Sequence, residues 1–142
     1  MKKQLVLSVA CILAATAIWT LVAETNAQGH SEVWVDDDAE PGWYDGNHVR
    51  TIQEGVTNVS SGGTVYVWDG IYTENVDVAK TVTIIGNGST QCIAQAADLN
   101  DAVFDVTADW VNISGFTVKD TTSSTYMGCI RLDGASYCNI YC

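Results

Sequence analysis

Positive charge is what this 142-residue chain has least of: six Lys and Arg stand against 17 Asp and Glu, a formal net charge of −11. A surface that acidic repels nucleic acid and anionic lipid, so neither is an expected partner. Cations, salty surroundings or plain solubility suit it better. Sulfur patterns for a metal are missing too. No Cys-x-x-Cys pair occurs, and the two histidines, His30 and His48, are not spaced as ligands, which sets zinc aside. Beyond Ala23 nothing resembles a membrane span. Helical patterns are scarce as well, with one after the N-terminal segment. The length allows one domain, and what fills it is short strands and the corners between them.

Residues 1–27 stand apart. Lys2 and Lys3 precede a mostly apolar stretch from Leu5 to Ala23, and Thr25-Asn26-Ala27 offers a cleavage site before Gln28. This is the pattern of a secretory signal peptide, and it places the rest of the chain outside the cytoplasm: secreted, on the cell surface or in the periplasm. The apolar stretch is nearly long enough to cross a bilayer, so an uncleaved N-terminal anchor is the alternative, and with it the sole membrane contact expected. Removing Lys2, Lys3 and Glu24 takes the formal charge from −11 to −12. Cys92, Cys129, Cys138 and Cys142 remain. An even number in an oxidising compartment invites disulfides. Cys129 and Cys138, however, fall at inward positions of strand patterns, where a thiol serves as a small hydrophobe, and buried thiols are preferred over bridges.

Residues 28–63 read as a strand, an acidic loop and a capping helix. Val33-Trp34-Val35 is a short strand running into Asp36-Asp37-Asp38, and Glu40 to Asn47 carries loop signals in Pro41-Gly42 and Asp45-Gly46. Thr51-Ile52-Gln53-Glu54 is a capping box. Ile52, Val56 and Val59 follow at i, i+4 and i+7 as one apolar stripe, ended by Ser60-Ser61-Gly62-Gly63. So short a helix is marginal alone and must dock its stripe.

From Thr64 to Cys142 a phrase recurs: Val82-Thr83-Ile84-Ile85-Gly86, Val111-Asn112-Ile113-Ser114-Gly115 and Cys138-Asn139-Ile140-Tyr141-Cys142, starting 29 and then 27 residues apart. The alternation within each copy is that of a strand with one face inside, and the spacing is that of a stacked repeat. Two further columns accompany it. Val65-Tyr66-Val67, Cys92-Ile93-Ala94 and Phe116-Thr117-Val118 form one. Asn75-Val76-Asp77-Val78, Val103-Phe104-Asp105-Val106 and Cys129-Ile130-Arg131-Leu132 form the other. Turn formers separate them, Asp69-Gly70, Gly86 to Ser89 and Thr121 to Thr125 among them. Three strands per circuit can bury a core only if each pairs with its equivalent one circuit on, about 4.8 Å away. The expected fold is therefore all-β, a coil of parallel strands, right-handed by the rule for parallel crossovers. Inside it Ile84 and Ile113 share one column; Thr83, Asn112, Asp105 and Arg131 point out. An antiparallel sandwich is the alternative, disfavoured because the columns repeat in the same order and the turns are not hairpin-like.

On these residues, with Val33 to Asp38, Thr51 to Glu54, Gly63 to Val67 and Gly70 to Val76, residues 33–142 resemble the N-terminal portion of right-handed parallel β-helix proteins of the pectin-lyase-like superfamily. Within it they are most similar to the surface and periplasmic group with NosD-like and carbohydrate-binding repeats. The resemblance implies about three coils plugged by the capping helix. It implies a polysaccharide or cell-envelope glycan as partner, together with the remaining coils of a longer chain. Gly55 departs from the pattern, standing where a better helix former such as Ala is usual, at about 1 kcal/mol. The third column reaches only Cys142 and no polar cap follows, so a front end of a longer protein, or a shortened product that must pair, is expected.

The candidate chemistry is sparse. Trp43 and Tyr44 offer aromatic faces for sugar, or else cover the edge of the capping helix. Asp36, Asp37 and Asp38 supply oxygens of the kind calcium takes, or else form a solvated acidic loop; alternating sides of a strand, at most two would converge. No other cofactor is implied. Asn87, in the corner sequon Asn87-Gly88-Ser89, is the candidate glycan acceptor. Gly86-Asn87-Gly88 lacks the third glycine and following helix of a phosphate loop. The superfamily's lyases and hydrolases need clustered acids, with an Arg or Lys base in the lyases. Here Arg131 and Asp133 are the late-strand charges, and an Arg–Asp pair is more often a surface ion pair. No catalytic residue is assigned. The expectation is a structural or carbohydrate-contacting module without catalysis in this segment; the alternative is the front of a polysaccharide lyase or hydrolase whose active coils lie beyond Cys142.

Overall fold

The computed structural model describes residues 29–119 and 129–141. The proposed signal peptide, the Thr121–Thr125 corner and Cys142 lie outside the described residues. Among the described residues, no helix is long and apolar enough to cross a membrane. The elements run β1 (His30–Val35), a 3-10 turn (Pro41–Trp43), β2 (His48–Val49), α1 (Ile52–Asn58), β3 (Val59–Val67), β4 (Gly70–Thr73), β5 (Val76–Val78), β6 (Thr83–Gly86), β7 (Cys92–Gln95), β8 (Phe104–Val106), β9 (Asn112–Ser114), β10 (Thr117–Lys119), β11 (Ile130–Leu132) and β12 (Asn139–Tyr141).

The strands form three sheets, a large one ordered β12-β9-β6-β3-β1-β2 and two smaller ones ordered β10-β7-β4 and β11-β8-β5. Every pairing described is parallel. From β3 onward successive strands visit the three sheets in the same order each time, so equivalent side chains meet on adjacent strands. Val33, Val65, Ile84, Ile113 and Ile140 stand in register across the large sheet. The first four of these are 0% exposed. Val76, Phe104 and Ile130 stand likewise in the sheet of β5, β8 and β11, and Tyr72, Ala94 and Val118 in that of β4, β7 and β10. Phe104 reaches across to Phe116, ring centroids 5.7 Å apart. Full burial of each such side chain contributes about 1.5–3 kcal/mol, and the stack is held chiefly by these rows.

The structure reassigns one column. Val65-Tyr66-Val67 does not lie beside Cys92-Ile93-Ala94; it belongs to β3, registered with Ile84-Ile85-Gly86 of β6. The place beside β7 is taken by β4, with Gly70 opposite Cys92 and Tyr72 opposite Ala94. Gly70 disguises that strand as a turn. A side chain there would run into the Asp37 carboxylate, so a glycine sits where the alternation calls for an apolar residue.

The helix is shorter than its stripe. It ends at Asn58, and Val59 is the first residue of β3, buried from the strand. Ser60 to Gly63 continue that strand rather than close the helix, with an irregular register against β1 and Gly62 at φ +83°. β3 therefore runs across the expected boundary at residue 63. The capping box is present: Thr51 Oγ1 accepts from the Glu54 N–H at 3.1 Å. Glu74, from the segment after β4, adds to the box by accepting the Ile52 and Gln53 N–H groups at 2.8 and 2.9 Å. With the Thr51 N–H on Glu54 Oε2 at 3.3 Å, all four donors ahead of the first intrahelical bond have partners, which an isolated helix start lacks. Gly55 has its reason here. A Cβ would stand 2.7 and 2.9 Å from methyls of Val65 and Val35, so glycine lets the helix lie flat on β1 and β3.

Candidate functional site

The outward face of the large sheet carries two rows. In one, His48, Trp34, Tyr66, Ile85, Ser114 and Tyr141 stand in register on successive strands. The Trp34 ring stacks on His48 at 5.3 Å and on Tyr66 at 5.9 Å, and the Trp43 ring lies tilted against His48 at 4.6 Å. Parallel strand spacing produces this ladder directly, because in-register neighbours lie one ring thickness and a little more apart. Two residues along each strand, a polar row runs Glu32, Thr64, Thr83, Asn112 and Asn139. Asn139 donates to Asn112 Oδ1 at 2.8 Å, and Asn112 donates to Thr83 Oγ1 at 3.4 Å. The face therefore sets ring edges beside a line of amides and hydroxyls.

A groove of about 180 Å³ opens where this face meets the corner after β3, lined by Trp34, Tyr66, Val67, Trp68, Ile85, Gly86 and Asn87. Trp68 is 49% exposed. Unlike Trp34, it stacks on no other described ring. Its backbone is pinned on both sides: its N–H donates to the Val35 carbonyl at 2.9 Å, and its carbonyl accepts from the Tyr72 hydroxyl at 3.1 Å. At the polar end Asp69 Oδ1 accepts from Asn87 Nδ2 at 2.7 Å, and the Gln91 amide nitrogen faces the same carboxylate.

The residues singled out from the sequence fall around this face rather than in one site. Trp43 ends the 3-10 turn and Tyr44 follows it, both half-buried. The Arg50 guanidinium covers the Tyr44 ring at 3.9 Å, and the Tyr44 hydroxyl donates to the Asp36 carbonyl at 3.0 Å. Asp36, Asp37 and Asp38 do converge, all three, each with a carboxylate oxygen within 4.8 Å of the others. The expectation of two fails because β1 ends at Val35 and the run then bends, so strand alternation does not apply. Asp37 and Asp38 are exposed, and Asp36 Oδ1 accepts from the Asp38 N–H at 3.2 Å. Asn87 is exposed at a corner, but its amide nitrogen is engaged by Asp69.

Other titratable groups are accounted for by structure. The Asn47 N–H and the His48 ring, 2.8 Å away, hold the exposed Asp45 below the usual carboxylate range. Burial pushes Glu74 above it, offset in part by the two helix N–H donors. Burial also takes the Cys92 thiol up to about 12. Cys92 and Cys138 are free thiols; Cys92 is buried, while Cys129 and Cys138 are half-buried. Arg131 is paired with Asp105, its register partner on β8, rather than with Asp133. Trp34, Tyr66 and Trp68 were not singled out from the sequence. The trace they left is a bulky aromatic at the outward position of Val33-Trp34-Val35 and Val65-Tyr66-Val67. Comparison with protein-family models, curated proteins and solved structures finds no significant match to this chain.

Proposed function

We propose that this chain is a secreted or cell-surface module with a right-handed parallel β-helix scaffold, and that it contacts a glycan through the outward face of its large sheet without catalysing a reaction in this segment. The observation that carries the reading is the ladder of His48, Trp34 and Tyr66 beside the Thr83-Asn112-Asn139 row. Sugars pair an apolar ring face with a rim of hydroxyls, and a surface that sets aromatic carbon beside amides and hydroxyls matches both. The recurring strand order and the all-parallel register support the scaffold, and the rule for parallel crossovers supplies its hand.

Catalysis is disfavoured on charge placement. The guanidinium of Arg131, on β11, is engaged by Asp105. The test is retention of the full chain on a panel of insoluble polysaccharides, alongside the double variant Tyr66→Ala/Asn112→Ala. Retention lost in the variant, with no sugar released, is expected. Release of reducing or unsaturated sugar ends that disappears in Arg131→Ala would overturn it.

A further inference from the structure

The groove at the Trp68 corner differs from the rest of the face in what it leaves open. Along the ladder Trp34 spends both faces on its neighbours, His48 on one side and Tyr66 on the other. Only its ring edge remains for a ligand there. Trp68 stacks on no other described ring, its backbone is pinned on both sides, and its side chain lines the groove. Tyr66 and Ile85 line the same groove, and Asn87 stands at its polar end with Asp69 and Gln91 beyond. A carboxylate has about four acceptor sites. Asp69, with one oxygen held by Asn87 and with Gln91 facing it, retains capacity for hydroxyl donors. A volume of about 180 Å³ suits one sugar ring rather than a length of oligosaccharide.

Charge decides the class of sugar. Among the described residues, no Lys or Arg lines the groove. Arg50 lies over Tyr44, Lys80 donates to the Thr57 and Val59 carbonyls, and Arg131 pairs with Asp105. A uronate carboxylate entering the groove would meet Asp69 with no cation to offset it, on a chain whose net charge is −11. We propose that the corner groove seats one hexopyranose residue of a neutral glycan, stacked on Trp68 and hydrogen-bonded through its hydroxyls to Asp69 and Asn87. This rests on the glycan-contact reading above and narrows it to a subsite and a substrate class.

The experiment is affinity electrophoresis and tryptophan fluorescence titration of the full chain with cellohexaose and galactomannan as neutral probes and polygalacturonate as the charged one. Binding to a neutral probe and none to polygalacturonate is expected. Trp68→Ala is expected to weaken it by about tenfold or more, the factor that 1.4 kcal/mol represents. Trp68→Phe, which keeps a ring face, is expected to stay within about threefold; an equal loss in both variants overturns the stacking. Preference for polygalacturonate, or neutral binding that Trp68→Ala leaves intact, overturns this inference while leaving contact through the sheet face standing. No binding of any polysaccharide by the unaltered chain overturns both.

Discussion

On its inward face the large sheet repeats itself: Val33, Val65, Ile84 and Ile113, all aliphatic, all out of contact with water. On its outward face the neighbours of those residues change from strand to strand, from Trp34 to Tyr66 to Ile85 to Ser114. The contrast comes from what each face must satisfy. Inside, each side chain is walled by the same position one strand away and by the two other sheets, so its volume is constrained to within about a methyl group. Outside, water accepts any residue that does not break the ladder, and variety there is free to serve a ligand.

The sharpest break of this contrast is a truncation inside. Ile113→Ala should lower unfolding free energy by about 2–5 kcal/mol, read from urea denaturation, whereas Ser114→Ala next to it should stay within about 0.5 kcal/mol. Equal effects would mean that the two faces are not packed differently.

Backbone comes next. Gly115 sits at φ +78° and a side chain there would run into the Gly86 carbonyl, the last residue of the repeated phrase one repeat earlier. Gly62 has a similar φ of +83° but open space around its Cα. Gly62→Ala should therefore incur only the left-handed backbone penalty of about 1–2 kcal/mol, and Gly115→Ala should exceed it. Thermal melts of the two variants measure the difference.

Much of this was legible in the residues. Alternation in Val82 to Gly86 and Val111 to Gly115 revealed which side chains face in, and the Thr51–Glu54 box located the helix start. Two kinds of feature were not. Where a strand stops depends on its partner, so neither the convergence of Asp36, Asp37 and Asp38 nor the passage of Val59 into β3 could be read locally. Register is tertiary as well. Trp34 and Tyr66 each look like lone outward aromatics, 32 residues apart in sequence, until β1 and β3 are seen to pair with α1 looped between them. The glycine of β4 concealed a whole strand because its partner in space, Asp37, belongs to another element.

A smaller effect distinguishes a half-buried group between elements from those on open faces. Glu74 binds the helix N-terminus from the segment after β4, and burial raises its pKa from a usual 4.5. Above 4.5 and up to the raised value, the folded chain holds a proton that the unfolded chain has released. That contribution is complete below 4.5 and is lost as pH rises through the folded value. Glu74→Gln should flatten the decline, seen as melting temperatures that change less from about pH 4 to 7 than those of the unaltered chain.

The smallest effect is expected one residue from the largest. Asn112 precedes Ile113 in β9 and points the other way, linking Asn139 and Thr83 through its amide. Removing it leaves polar groups that water can reach, so no buried donor or acceptor is orphaned and the loss is a net hydrogen-bond contribution rather than a desolvation penalty. Asn112→Ala should change stability by about 0.5 kcal/mol or less and leave the urea midpoint close to that of the unaltered chain. Its retention on polysaccharide should fall all the same. On the proposed glycan contact, this row is dispensable to the fold and needed by the ligand. If Asn112→Ala instead unfolds as readily as Ile113→Ala, the polar row is a structural seam, and the outward face has less freedom than its exposure implies.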